Sequence, residues 1–519
     1  MSGKNKIKLI AIIAFCAFLT TGCFQNLSSK SRKDEEPVIV ILDEDAYSEN
    51  SSKISTQLKS NKNPTVYTQY NIDLKVNPKE KTFTGIEKIQ YTNQTGKPLD
   101  LIYLNLYLNA FKDNTFIKQY LSGLENKILP KDFIEGFIDI HSVLVNNEEA
   151  TFNQSDTLLE VSLKNTVEVK ECIEITIQFE GKVPAIAHRI GSNDHALWMG
   201  NFLPVVAVHD KDGWNKYPYY PVGDPFFTDI ANYTVKVTTP KDYVVIATGN
   251  EEEIEKDVEK ITKINAQMVR DFALVISNQF ESLSLETKDG VSINLYHTKK
   301  LFDGEKILRA AERALEYYSK RLGSYPYAEL DIVEGELYVP SSMGYSTLIL
   351  VDSKKLQDAS VVLDVAHEIG HQWFYNIIGS NQVKEPWLDE AMVTYLQKNL
   401  FLLEEDIEGI MDRQRDRLIK AMAPMREVSL FSDLSTFSSW EAYYNIHYLR
   451  GQLMIHALKQ KMGSEAFDKF LKAYYEKYAF RIADTQGFIE IAEEIYGSSL
   501  SVFFEQWMNA EELDRKSVV

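Results

Sequence analysis

The sequence predicts a multidomain α+β protein, an N-terminal antiparallel β-saddle or sandwich followed by a mainly helical body. Three observations predict it. Short runs of alternating apolar and polar residues dominate from Tyr67 to about residue 255, with turns rich in Gly, Asn, Pro and Lys between them. Beyond about residue 300 the apolar period changes from two to 3.6. The length, 519 residues, exceeds what one core ordinarily organises.

The strands come first. YNIDLKV (70–76), IEKIQYTN (86–93) and LIYLNLYLN (101–109) place apolar side chains on one face. LLEVSL (158–163), CIEITIQFE (172–180), YTVKVTT (233–239) and YVVIATG (243–249) continue the pattern. VSINLYH (291–297) is a further β run, so 250–300 is ambiguous between the two bodies, and the boundary is set near 255. GEKILRAAERALEYYSKRLG (304–323) then reads as a helix, followed by 357–378, 387–402, 405–422, 449–461 and 484–496. The aromatic, Pro- and Gly-rich stretch 198–229 reads either as a substrate-facing loop or as a packed junction.

Composition narrows the function. Apolar residues make up 44% and charged residues 25%, which excludes wholesale disorder. Lys and Arg number 56 against 75 Asp and Glu, a net charge of −19 with no basic block, so no nucleic-acid partner is expected. The three cysteines are Cys16, Cys23 and Cys172. Two lie in or beside the first apolar stretch, which excludes a disulfide framework and a cysteine-built metal site. Any metal must be held by His and carboxylates.

The N-terminus orders a basic KNKIK (4–8), an apolar stretch from Ile7 to Thr21 broken by Lys8, and Gly22-Cys23. This looks like an export signal over 1–22. It resembles a bacterial lipoprotein signal, with the departure that Thr20 stands where Leu is usual. That resemblance implies a lipid anchor at Cys23, membrane attachment and an extracytoplasmic location. An uncleaved anchor is the other reading. Residues 23–64 are polar apart from VIVIL (38–42) and read as a flexible tether, leaving 65–255 for the β body and 256–519 for the helical body.

The strongest motif is HEIGH at 367–371. On a helix, His367 and His371 present two imidazoles on one face, one turn apart, which suits zinc. Glu368 projects beside them to act on an activated water. A tetrahedral site that leaves one position open needs a third protein ligand. Glu390, in WLDEAMVTYL (387–396) and 19 positions after His371, is the candidate, with Pro386 at the expected helix start. One Zn2+ per chain is therefore expected. Asp389 is a candidate to orient a ligand.

HEIGHQWFYN followed by WLDEA resembles the gluzincin zinc aminopeptidases, the family of membrane alanyl aminopeptidase, whose signatures are HExxHQWFGN and WLNEG. The resemblance covers roughly 65–512. It implies a thermolysin-like catalytic body preceded by a β-saddle, and peptide as substrate. Because the chain stops soon after FFEQWM (504–509), the family's large C-terminal helical domain is expected to be absent. Tyr448-Leu449-Arg450-Gly451 matches the family's Y-x-K-G with Arg for Lys, and implies Tyr448 as the oxyanion donor.

The family's G-x-M-E-N segment corresponds to Ser341-Ser342-Met343-Gly344-Tyr345, taken as the substrate-binding stretch. Gly344 stands where the family has the Glu that binds the substrate α-amine. The expected function is peptide-bond hydrolysis by metal-activated water. Exo- and endopeptidase action both stay open. The alternatives are an aminopeptidase using another acceptor, Glu334 or Glu336 among them, hydrolysis of a non-peptide substrate, and a catalytically weak peptide-binding lipoprotein. No obligate protein partner is inferred.

Overall fold

The computed structural model describes residues 67–120, 123–130, 133–401, 404–421 and 428–508. The expected export signal, Cys23 and the expected tether lie outside these residues. Eight strands form the large N-terminal sheet: β1 (Thr68–Asn77), β2 (Thr82–Thr92), β3 (Phe137–Val145), β4 (Glu148–Glu149), β5 (Cys172–Lys182), β6 (Ala231–Pro240), β7 (Asn250–Glu255) and β8 (Glu259–Val269). Their order is β7-β8-β6-β1-β2-β5-β3-β4. All pairs are antiparallel except β1 with β6, which run parallel from Thr68 opposite Ala231 to Lys75 opposite Thr238. Alternation dictates the packing. Along β1, Tyr70, Ile72, Leu74 and Val76 point inward while the intervening residues are exposed. Two four-stranded sheets complete this body.

The second body begins with a five-stranded sheet of β9 (Glu281–Glu286), β10 (Ser292–His297), β11 (Glu329–Gly335), β12 (Ser342–Tyr345) and β13 (Leu348–Asp352), ordered β9-β10-β11-β13-β12. The helices α1 (Gly304–Arg321), α2 (Val361–Gly370), α3 (Trp387–Phe401), α4 (Glu404–Ala421), α5 (Gly451–Met462), α6 (Ser464–Tyr478), α7 (Thr485–Tyr496) and α8 (Ser501–Met508) make up most of the rest. Helix α1 starts at an Asp303 cap that accepts from the Lys306 amide, and it buries Ile307, Ala311, Ala314 and Tyr318. The observed architecture is thus a β-rich N-terminal region followed by a mainly helical, thermolysin-like one.

One expectation is corrected. A C-terminal helical domain is present, built on α1 to α6 between Gly304 and Tyr478. The expected absence rested on the chain stopping soon after FFEQWM (504–509), with these helices counted in the catalytic body 256–519.

A third apolar core joins the two bodies. Trp198, Val205, Phe226, Ile246 and Val275 of the first pack with Val333, Met343, Tyr345, Leu348 and Leu350 of the second. The stretch 198–229 is largely packed: Trp198, Phe202, Leu203, Phe226 and Phe227 are all buried. Arg270 bolts the bodies together as well. It is fully buried and donates to the carbonyls of Thr228, Asn376 and Arg481. These contacts fix β12 against α2, where the site lies.

Candidate metal centre

The helix expected over 357–378 is shorter. It runs from Val361 to Gly370, and His371 caps it in helical conformation, its amide bonded to the His367 carbonyl at 3.3 Å. The chain then turns sharply. Tyr375 takes φ 92°, and the Asn376 and Ile377 amides reach back to His371 and Gln372. His367 and His371 therefore keep their one-turn spacing. Helix α3 begins at Trp387 after Pro386, which carries Glu390 on its first turn to the same point.

His367 Nε2 lies 3.1 Å from His371 Nε2 and 3.5 Å from Glu390 Oε2, and His371 Nε2 lies 3.8 Å from that oxygen. Ligands ~2.0–2.1 Å from a tetrahedral zinc stand about 3.3 Å apart. The three atoms fit that spacing. Glu390 is 2% exposed, and its Oε2 has no hydrogen-bond partner among the described residues. A buried carboxylate oxygen without a partner is costly unless a cation meets it. The donor set and the orphaned oxygen fit one Zn2+ per chain.

The surrounding groups set orientation and protonation. Asp389 Oδ1 lies 2.8 Å from His371 Nδ1, and Gln382 Nε2 donates to Asp389 Oδ2 at 2.7 Å. This holds Nε2 of His371 toward the ligand set. Burial, then the neighbouring His371, keeps the His367 ring well below its ordinary pKa, in the neutral form that ligates. Glu368 is 5% exposed, and burial pushes its carboxyl up to about 7 against the lowering pull of His371 and Ser342. Ser342 Oγ donates to Glu368 Oε1 at 2.6 Å.

Tyr448 sits on a π-helical segment, Tyr444–Arg450, that feeds into α5. Such local widening recurs at functional sites because it re-aims side chains. Tyr448 Oη donates to Glu390 Oε1 at 2.6 Å, and the ring stacks on His367 with centroids 5.9 Å apart. Burial, then the Glu390 charge, raises its phenol well above 10, so it stays a donor.

The segment 341–345 lies along this site. β12 is the outer strand of its sheet. Ser342 meets Glu368 and Gly344 lies close to Glu368 and His371, while Met343 and Tyr345 point into the junction core. Ser341 is buried, and Tyr345 donates to the Arg189 carbonyl. Glu334 is saturated elsewhere by Thr298 N, Thr298 Oγ1 and Lys299 N, and Glu336 accepts from Asn193. Sequence reasoning missed Gln382, which reads as turn material. It also missed the bearing of Asp224 on the centre: this N-terminal-body residue pairs with buried Arg189 at 2.9 Å and lies within the field of His371, Asp389 and Glu390. Neither has a motif that marks it.

Residues 307–507 match the Peptidase family M1 domain. Aminopeptidase N of Lactococcus lactis subsp. lactis is 28% identical over 247 residues, 43% of this chain and 28% of that protein. Aminopeptidase M1-A of Oryza sativa subsp. japonica is 26% identical over 251 residues, 45% of this chain and 28% of that one. The chain thus spans less than a third of the length of these relatives. Among solved structures, an M1 zinc metallopeptidase from Deinococcus radiodurans superposes with a TM-score of 0.63 at 17% identity, over 87% of this chain and 95% of that one. A mutant of that protein bound to a Tyr-Ser-Ala substrate superposes at 0.61 and 18%, over 86% and 94%. Fold and ligand set together define a zinc-metallopeptidase type of centre.

Proposed function

We propose that this chain is a zinc-dependent metallopeptidase that hydrolyses peptide bonds. The carrying observation is the convergence of His367, His371 and Glu390 beside a buried, unligated Glu368. A zinc held there supplies the Lewis acid that activates a water and polarises a carbonyl. Glu368 takes the attacking water's proton and passes it to the leaving amine. Tyr448 stabilises the developing oxyanion by donating its phenolic proton in a hydrogen bond. Asp389 and Gln382 keep His371 in register.

The related aminopeptidases favour a second reading, removal of single N-terminal residues. Gly344 offers no carboxylate for an α-amine, and Glu334 and Glu336 are engaged elsewhere. Product analysis separates the two. The full chain, zinc-loaded or chelated, is incubated with peptides carrying free or acetylated N-termini, and the products are weighed by mass spectrometry. Cleavage that chelation removes and zinc restores supports the proposal; cleavage indifferent to chelation, or none in the loaded protein, contradicts it. Single-residue losses confined to free N-termini identify an aminopeptidase, and internal cuts an endopeptidase.

Lipid attachment at Cys23 and an extracytoplasmic location are part of the same reading, supported by the basic, apolar and small-residue order of 4–23. No helix among the described residues is long and apolar enough to cross a membrane. Membrane fractionation of the wild-type chain and Cys23→Ser tests the anchor: the variant should leave the membrane fraction, and equal retention would contradict it.

A further inference from the structure

We propose that Ser342 and Gly344 form a seat for the catalytic carboxylate, and that Ser342 is a positioning residue acting through Glu368. The inference rests on Glu368 being the general base. Both residues lie on β12 at i and i+2, on the face turned to α2. A carboxylate has two oxygens, and only one is needed to take a proton. Ser342 Oγ occupies Oε1 at 2.6 Å, which leaves Oε2 for the water. Gly344 supplies the room. A Cβ built there would stand 3.0 Å from the Glu368 carbonyl oxygen, 3.0 Å from His371 Cβ and 3.2 Å from Glu368 Oε2.

The two observations are independent and converge on one group. A side chain at 344 crowds Glu368 and His371 by a few tenths of an ångström, and a missing hydroxyl at 342 frees the Glu368 carboxylate to rotate. The hydroxyl proton at 342 is thus committed to the enzyme's own carboxylate. A general base must be held within hydrogen-bond reach of its proton, and looseness there is paid in rate rather than in binding.

The test uses the full zinc-loaded chain and a peptide that the wild type cleaves. Ser342→Ala is expected to lower kcat about 10- to 100-fold, the range typical of residues that orient catalytic groups, with KM and bound zinc unchanged. Ser342→Thr, which keeps the hydroxyl, should recover most of that loss. Peptide affinity of Glu368→Gln protein should be the same with and without Ser342→Ala. Gly344→Ala should lower kcat while zinc stays bound. A wild-type kcat in Ser342→Ala, or a loss appearing in KM or in peptide affinity, overturns the inference while leaving Glu368 as base. A fully active Glu368→Gln overturns both.

Discussion

Glu368 is buried and Tyr448 half-buried, and this desolvation sets the protonation of each. It raises both groups, so the phenol keeps its proton at any working pH while the carboxyl is poised to exchange one. Tyr448→Phe removes the proposed oxyanion donor and leaves the ring stacked on His367. It should cost about 10²–10³ in kcat with little change in KM, measured by steady-state kinetics on a peptide substrate. Asp389→Asn replaces the acceptor that holds the His371 Nδ1 proton. Zinc affinity should fall about 10- to 100-fold in a chelator competition assay. At this scale His367, His371, Glu390 and Tyr448 were legible, because each sits in a motif of fixed spacing. Gln382 and the Ser342 bond to Glu368 were not, because they bring together residues from separate turns and strands.

Elements carry the next level of precision. α3 and α5 cross so closely that a Cβ on Gly451 would stand 2.6 Å from the Cβ of Ala391, the neighbour of the ligand Glu390. Gly451→Val should therefore destabilise the fold by about 1–3 kcal/mol, visible as a lower Tm, and weaken zinc binding with it. Equal Tm and zinc affinity would show that the helices separate freely. The 3.6-residue period located most of the long helices to within a few residues, and alternation located strands such as β1, β2, β5 and β6, but Phe137–Val145, Glu259–Val269, most of the five-stranded sheet and α6 were not singled out. The π-helical turn under Tyr448 and the early end of α2 at Gly370 escaped, since widened backbone turns and the positive φ at Tyr375 leave no mark on the apolar period.

Across the whole molecule, stability is set by two large cores and the junction that welds them. One group works against it. Glu87 on β2 is fully buried in the saddle, and neither oxygen has a partner among the described residues. Burial alone raises its carboxyl well above 4.5. The folded state then binds a proton that the unfolded chain has released, so this group's contribution to stability is most favourable below about pH 4.5 and is lost as pH rises toward the folded value. Each pH unit in that window costs about 1.4 kcal/mol. Glu87→Leu should raise Tm more at pH 8 than at pH 5, and an equal gain at both would contradict the account. The two-body plan was legible from the change of period, whereas the parallel pairing of β1 with β6 was not, since strands so far apart leave no register in the sequence.

The central claim is that this molecule cleaves peptides with a zinc at His367, His371 and Glu390 and a proton carried by Glu368. The most direct measurement is the turnover of one peptide by wild-type and Glu368→Gln protein at matched zinc content. The account predicts one zinc per chain in both and near-complete loss of turnover in the variant. Comparable turnover in the two zinc-matched proteins would contradict it.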